Sequence, residues 1–342
     1  MKRTNPVSIL PLIALLAGLF ILGHGGLVGA QQAKPGEIAY GHGFMLETPH
    51  HQAAVKFKEI VEQKSGGKLK VNLFPAGQLG SAKDMFESLQ MGTQQVALLP
   101  TARISGFNKK LQLFDLPFLF PNRETAYKVF DGAFGGELLK TLEENKIIGV
   151  AIYEDGFKHF TCNKPIQRLE DFKGMKFRTM ESPIIMEQFK SLGANPTPLN
   201  FAELYSALQQ KVVDGQENPL VTIANMKFYE VQKYVMLSGH GYLAHVLMLS
   251  KSWYESLPKD QQKIVFETGK ELAAWQRKGV MEGEQGYLKT IKDFGTNVIE
   301  IADKEKARMR EATKPVYKIG EGIIGKDLVE KAVKEIERLS KK

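Results

Sequence analysis

The chain has 342 residues, 43% of them hydrophobic and 25% charged, with 32 Gly and 15 Pro; this globular composition excludes disordered, collagen-like and coiled-coil chains. At roughly 100–200 residues per domain the length predicts two domains with sizeable cores. The single cysteine, Cys162, excludes an intrachain disulfide and a cysteine-based metal cluster, and the formal charge of +8 raises the question of an anionic partner.

The first stretch reads as a secretory signal peptide over residues 1–30. Lys2 and Arg3 give a basic start, Val7 to Leu22 is nearly free of polar residues, and Val28-Gly29-Ala30 precedes Gln31 with small residues where a signal peptidase cuts. The apolar stretch falls short of the roughly 20 residues that span a bilayer. No cysteine lies near the cleavage site, which excludes a lipid anchor. Processing removes two of the positive charges. The rest are spread out, with local clusters only at Lys109-Lys110 and Lys341-Lys342. No basic run carries interleaved aromatics, so nucleic acid is excluded as a partner.

Glu37 to Tyr40 reads as a strand, and His50 to Gln63 as a helix with Thr48 as cap and Pro49 in its first turn. Leu69 to Phe74 alternates as a strand, Ser81 to Met91 is helical with Gly92 at its end, and Gln95 to Leu99 is a further strand. Strand–helix–strand–helix–strand within about 70 residues points to an α/β domain with a largely parallel sheet. A helix over Arg123–Glu144 then leads to strand Ile147–Tyr153, strand Lys176–Thr179 and helix Pro183–Leu192. Helices at Phe201–Gln210 and Leu220–Phe228, an apolar strand at His245–Leu249 and one long helical stretch at Lys259–Phe294 follow. Two amphipathic segments, Lys304–Thr313 and Lys326–Leu339, finish the chain.

Enzyme signatures are missing from the sequence. The seven histidines contain no His-Glu-x-x-His pattern, no Gly-x-Ser-x-Gly elbow is present, and Cys162 has no nucleophile signature. Gly320-Glu-Gly322-Ile-Ile-Gly325 matches the spacing of a dinucleotide fingerprint, but no strand precedes it; it reads as a break between helices. No catalytic residue, metal site or cofactor is expected. What remains is a polar cluster in the middle of the chain. Lys158 follows an apolar strand, Arg178 ends another, Phe201 opens a helix and Asn218 sits in Val213-Asp-Gly-Gln-Glu-Asn-Pro219. In an open α/β sheet, ligands gather beyond the carboxyl ends of strands, where Lys158 and Arg178 stand.

These residues lie in a series of motifs: Gly77-Gln-Leu-Gly80, Phe114-Asp-Leu-Pro-Phe118, Asp171-Phe-Lys-Gly-Met-Lys-Phe-Arg178, Leu192-Gly-Ala194, Glu203-Leu-Tyr-Ser-Ala-Leu-Gln209 and the run ending at Pro219. In this order they make the chain resemble the solute receptors of tripartite ATP-independent periplasmic (TRAP) transporters, the DctP family, over nearly its whole length. The resemblance implies a two-lobed α/β periplasmic binding protein fold with a long bridging helix, which Lys259–Phe294 fits. It divides the chain into lobe I at 31–155 and 244–283, lobe II at 156–243 and 284–311, and a C-terminal helical segment at 312–342. It implies a receptor in the periplasm, without enzymatic activity, that hands a small organic acid anion to the small and large membrane subunits of a permease. By the same resemblance Arg178 grips the ligand carboxylate, Asn218 contacts it, Phe201 closes over it and Arg103 is a further basic contact. Lys158 stands where sugar-acid receptors of the family have a second arginine, and Glu181 where the sialic-acid receptors have an asparagine. Gly156-Phe-Lys158 and His240-Gly-Tyr-Leu243 are similar to the C4-dicarboxylate receptors. That implies malate, succinate or fumarate as ligand, with Lys158 as the distal cationic anchor and Tyr242 in the site. The alternative is a sugar acid (a uronate or aldonate) or another monocarboxylate.

Overall fold

The computed structural model describes residues 36–341; the expected signal peptide lies outside the described residues. The first sheet starts as expected. Strand β1 (Glu37–His42) leads to helix α1 (Pro49–Lys64), strand β2 (Lys70–Phe74), helix α2 (Ala82–Met91) and strand β3 (Val96–Pro100). Thr48 accepts the His51 amide hydrogen at the start of α1, and Ser81 with Asp84 forms a reciprocal cap on α2. Both β2 and β3 pair with β1 in parallel.

The helix expected over Arg123–Glu144 is broken into α3 (Arg123–Asp131) and α4 (Ala133–Lys140), followed by a short 3₁₀ turn over Thr141–Asn145. Gly132 between them has extended ψ, and a Cβ there would stand 2.8 Å from the Lys128 carbonyl oxygen. Strand β4 (Ile147–Phe157) runs four residues beyond the expected Tyr153.

The chain then crosses to a second sheet through Lys158. This sheet is built from β5 (His159–Cys162), β6 (Lys176–Thr179), helix α5 (Pro183–Ser191), β7 (Asn195–Pro198), helix α6 (Phe201–Gln209), β8 (Gly215–Asn218), helix α7 (Leu220–Asn225) and β9 (Tyr234–Leu237). It crosses back at Ser238–Gly241 into β10 (Tyr242–Ser250), which pairs antiparallel with both β3 and β4. After the short α8 (Lys251–Ser256) come α9 (Lys259–Asp293), β11 (Asn297–Glu300), α10 (Asp303–Ile324) and α11 (Lys326–Ser340). The strand orders are β2-β1-β3-β10-β4 and β11-β9-β5-β8-β6-β7.

Each sheet has apolar cores of its own. Ile38, Tyr40, Phe57, Val96 and Leu247 pack on one face of the first sheet, while Phe160, Phe172, Phe177 and Phe189 fill the second. Helix α9 is continuous over 35 residues, about 52 Å at 1.5 Å per residue. Its Val265, Leu272 and Ala273 belong to the core of the first sheet, and its Ile291 to the core between α6, α7 and β9 of the second. Helix α10 also joins the two, with Met309 in the second core and Val316 and Ile324 in the first. The architecture is therefore the expected two-lobed α/β fold with a long bridging helix. The Gly320–Gly325 run lies inside the end of α10, and Gly325 (φ +109°) separates α10 from α11.

Candidate ligand-binding site

A cavity of about 310 Å³ lies between the two sheets. The first sheet contributes Phe44, Leu98, Arg103, Asp155 and His245, and the second contributes Asn200, Phe201, Asn218 and Thr222. The helix N-termini at Ser81–Ala82 of α2 and Asn200–Ala202 around the start of α6 also line it, and both bring the positive end of a helix dipole to the space.

Arg178 stands near the end of β6, in register with Thr197 of β7 on one side and Gln216 of β8 on the other. Its guanidinium is almost wholly buried, and Nε and Nη2 donate to the Leu199 carbonyl oxygen at 3.0 and 2.8 Å. That clamp fixes the plane of the group and leaves Nη1 uncommitted. Arg103 comes from the 3₁₀ turn after β3. Its guanidinium carbon lies 4.3 Å from the centroid of the Phe201 ring, and that of Arg178 lies 5.9 Å from the same ring. Neither arginine is in an ion pair among the described residues, and the buried Nε of Arg103 has no hydrogen-bond partner. Burial, with the Arg103 charge second, pushes Arg178 down to about 9; burial likewise pushes Arg103 down to about 10, against the pull of Glu181 and Asp155. Both remain protonated at neutral pH. Two desolvated cations sharing one aromatic ring, with no protein anion on either, form a site that an anionic ligand stabilises.

Asn218 also faces the cavity; its amide nitrogen donates to Gln216 Oε1 and keeps a second hydrogen for a ligand. The structure thus places Arg103, Phe201 and Asn218 on the cavity wall, while Arg178 is not part of the lining and approaches the group through the Phe201 ring.

It does not bring Lys158 or Tyr242 with them. Lys158 Nζ lies 2.6 Å from Glu217 Oε1 with both side chains closed to solvent, and Glu217 Oε2 is 2.6 Å from His240 Nε2. Glu217 comes into reach because β5 pairs with β8, placing Phe160 opposite Glu217. A lysine whose charge is already compensated inside the protein is not a free anchor for a second carboxylate. Tyr242 is buried among Phe120, Phe130 and Phe157 in the core of the first lobe. Its hydroxyl has no partner, and neither residue lines the cavity. Glu181 is exposed and likewise outside it.

Asp155, Thr222 and His245 are among the lining residues that escaped the sequence reading. The acidic pair Glu154-Asp155 directly after an apolar strand was the available signal, since charge at that point is costly unless it is used or paired.

Among the described residues no group of His, Cys, Asp or Glu is arranged to hold a metal ion, and no helix is long and apolar enough to cross a membrane.

The model of the bacterial extracellular solute-binding protein family 7 matches residues 40–321. The chain is 33% identical over 308 residues to the C4-dicarboxylate-binding periplasmic protein DctP of Shewanella loihica, covering 88% of this chain and 90% of that protein. It is 34% identical over 292 residues to the C4-dicarboxylate-binding protein DctB of Bacillus subtilis, covering 85% and 83%. Among solved structures, the sugar acid binding protein DctPAm of Advenella mimigardefordensis in complex with galactonate superposes with a TM-score of 0.87 at 37% identity, covering 90% of this chain and 99% of that one. A TRAP periplasmic solute binding protein of Sulfurospirillum deleyianum with bound succinate gives 0.83 at 35% identity, covering 86% and 97%. The two-sheet fold, the family match over residues 40–321 and these relatives agree: the chain belongs to the DctP family of TRAP solute-binding proteins.

Proposed function

We propose that the protein is a periplasmic receptor for a C4-dicarboxylate, held at one carboxylate by Arg178 and Asn218 and at the other by Arg103. The observation that carries this reading is the pair of guanidiniums against Phe201, neither of them in an ion pair among the described residues. Arg103 takes the part expected of Lys158. A guanidinium is matched to a carboxylate, and two guanidiniums about one aromatic ring suit a diacid. Relatives named as C4-dicarboxylate-binding, and the succinate complex above, support the same class.

Micromolar affinity, about −8.2 kcal/mol, spread over the eight or so heavy atoms of such an acid approaches about −1 kcal/mol per atom. So polar a ligand reaches that density only through charge-assisted bonds away from water. The lobes therefore close on it, and the filled receptor presents its closed form to the small and large subunits of a TRAP permease. It binds and releases its ligand unchanged.

A sugar acid is the second reading, favoured by the galactonate complex of the Advenella relative. Isothermal titration with succinate, malate, fumarate, galactonate and galacturonate separates the two. A response to the C4 diacids supports the first reading; binding of the sugar acids alone overturns it in favour of the second. Binding of none overturns both.

A further inference from the structure

The anion grip leaves one acid in the cavity without a task. Asp155 stands two residues before the end of β4, lines the cavity with Arg103, Phe201 and Asn218, and is 2% exposed. Its carboxylate receives one hydroxyl, that of Thr222, with Oγ1 at 3.0 and 2.8 Å from the two oxygens. One hydroxyl carries one proton, and a carboxylate accepts about four hydrogen bonds. His50 Nε2 is 3.8 Å away but is already engaged by the Glu154 carbonyl oxygen at 2.7 Å. The acid is thus buried and short of donors. Burial pushes it up to about 7, against the Thr222 bond and the Arg103 charge, so above that pH it is an anion facing the ligand space. His245 lines the same wall at 5% exposure, and its Nδ1 has no partner.

An anion-binding cavity gains nothing from a carboxylate unless the ligand brings a hydrogen to it. A bare methylene would leave Asp155 unpaired, and a second carboxylate placed there would repel it. A hydroxyl serves it, because the O–H donates to Asp155 while its lone pairs remain free for a neighbouring donor. Sites built around such a bond reject the analogue that lacks the hydroxyl far more strongly than apolar pockets discriminate by size. We propose that Asp155, oriented by Thr222, is a specificity residue that accepts a hydrogen bond from a ligand hydroxyl, so that the receptor selects hydroxylated acids over unsubstituted acids with the same carboxylates. This rests on the organic-acid reading above and adds the hydroxyl to it.

The test is titration calorimetry at pH 8 on the processed protein. It uses two ligand pairs that differ in hydroxylation, malate with succinate and threonate with butyrate, and compares wild type, Asp155→Ala and Asp155→Asn. Wild type should favour the hydroxylated member of a pair at least tenfold. Asp155→Ala removes the acceptor and should bring the ratio close to one; Asp155→Asn offers an amide that can donate to the hydroxyl oxygen and should keep part of the preference. Because the readout is a ratio within one variant, a general loss of stability does not imitate the effect, and Asp155→Leu stands in if Asp155→Ala fails to fold. A preference for succinate in the wild type, or a ratio unchanged in the folded variant, overturns the hydroxyl subsite and leaves the receptor reading in place. Binding of none of the four acids overturns both.

Discussion

The Arg103 guanidinium lies over the Phe201 ring, its central carbon 4.3 Å from the centroid. Arg103 comes from the lobe of the first sheet and Phe201 from the first turn of α6 on the second, so this contact spans the cavity between the sheets. Phe201→Ala removes the ring that both guanidiniums share. A cation–π contact is worth about 0.5–2 kcal/mol, so Phe201→Ala is expected to weaken binding about 2- to 30-fold for every acid tested. Phe201→Trp should keep most of the affinity. Equal dissociation constants for wild type and Phe201→Ala would show that the ring takes no part in closing the site.

Arg178→Lys should cost roughly 2–4 kcal/mol of binding. Arginine holds the Leu199 carbonyl through two nitrogens and still has Nη1 for the ligand. A lysine ammonium cannot reach both with matched geometry, so the expected loss is about 30- to 1000-fold for monoacids and diacids alike. Arg103→Ala should behave differently, weakening succinate much more than butyrate. Calorimetry on the two variants with the two ligands checks this, and an equal loss for both ligands in Arg103→Ala removes the second anchor.

Lys158 is committed to a buried ion pair with Glu217, and substitution there should appear in stability. Lys158→Met strands the buried Glu217 with only His240 beside it, and breaking a buried pair from one side costs about 3–5 kcal/mol. Lys158→Met with Glu217→Leu should recover part of that loss. Chemical denaturation measures both, and ligand affinity in the folded variants should change little beside Arg178→Lys. A Lys158→Met protein of wild-type stability that lost only succinate binding would return Lys158 to the site.

Stability should fall as the solution is acidified below pH 6.5. Burial holds His42, His50 and His159 down to about 3, so the folded state stays neutral where the unfolded chain takes up protons. Their contribution is complete above about 6.5 and is lost as pH falls towards 3. Asp115 and Asp155, both raised by burial to about 7, act in the opposite direction: the folded state keeps protons that the unfolded chain releases above about 4. His51, His240 and His245 are lowered by burial as well, so the histidines outnumber the two acids and the net effect is a loss of stability as pH falls from 6.5 towards 4. Thermal melts across that range report it, and a flat melting temperature would place protons on the buried rings.

The alternating sheets, the caps on α1 and α2 and the long helix α9 were legible in the sequence because each depends on neighbours within a few residues. The end of β4 was not. Glu154 and Asp155 read as the polar edge of a strand, yet Glu154 is buried because Arg123 and Tyr127 reach it from α3. That compensation comes from about 30 residues away, and with it Asp155 of the cavity wall was lost from view. Arg178 and Asn218 stood out as candidates because their local runs are distinctive. The pairing of Lys158 was not legible because its partner Glu217 enters only through the pairing of β5 with β8, nor was the burial of Tyr242, whose aromatic neighbours Phe120, Phe130 and Phe157 come from three separate segments.

Gly241 occupies the return crossing between the sheets, where its carbonyl oxygen accepts the Lys158 amide hydrogen at 2.8 Å. A Cβ on residue 241 would stand 2.6 Å from Lys158 Cε. The buried lysine stem therefore fills the space that a side chain at 241 would need, and the two crossings are complementary in shape. Inheritance should respect this. A lineage that shortens residue 158 frees position 241 to vary, whereas one that acquires a side chain at 241 must first give up the lysine, so the two positions should drift as a couple although 82 residues separate them along the chain.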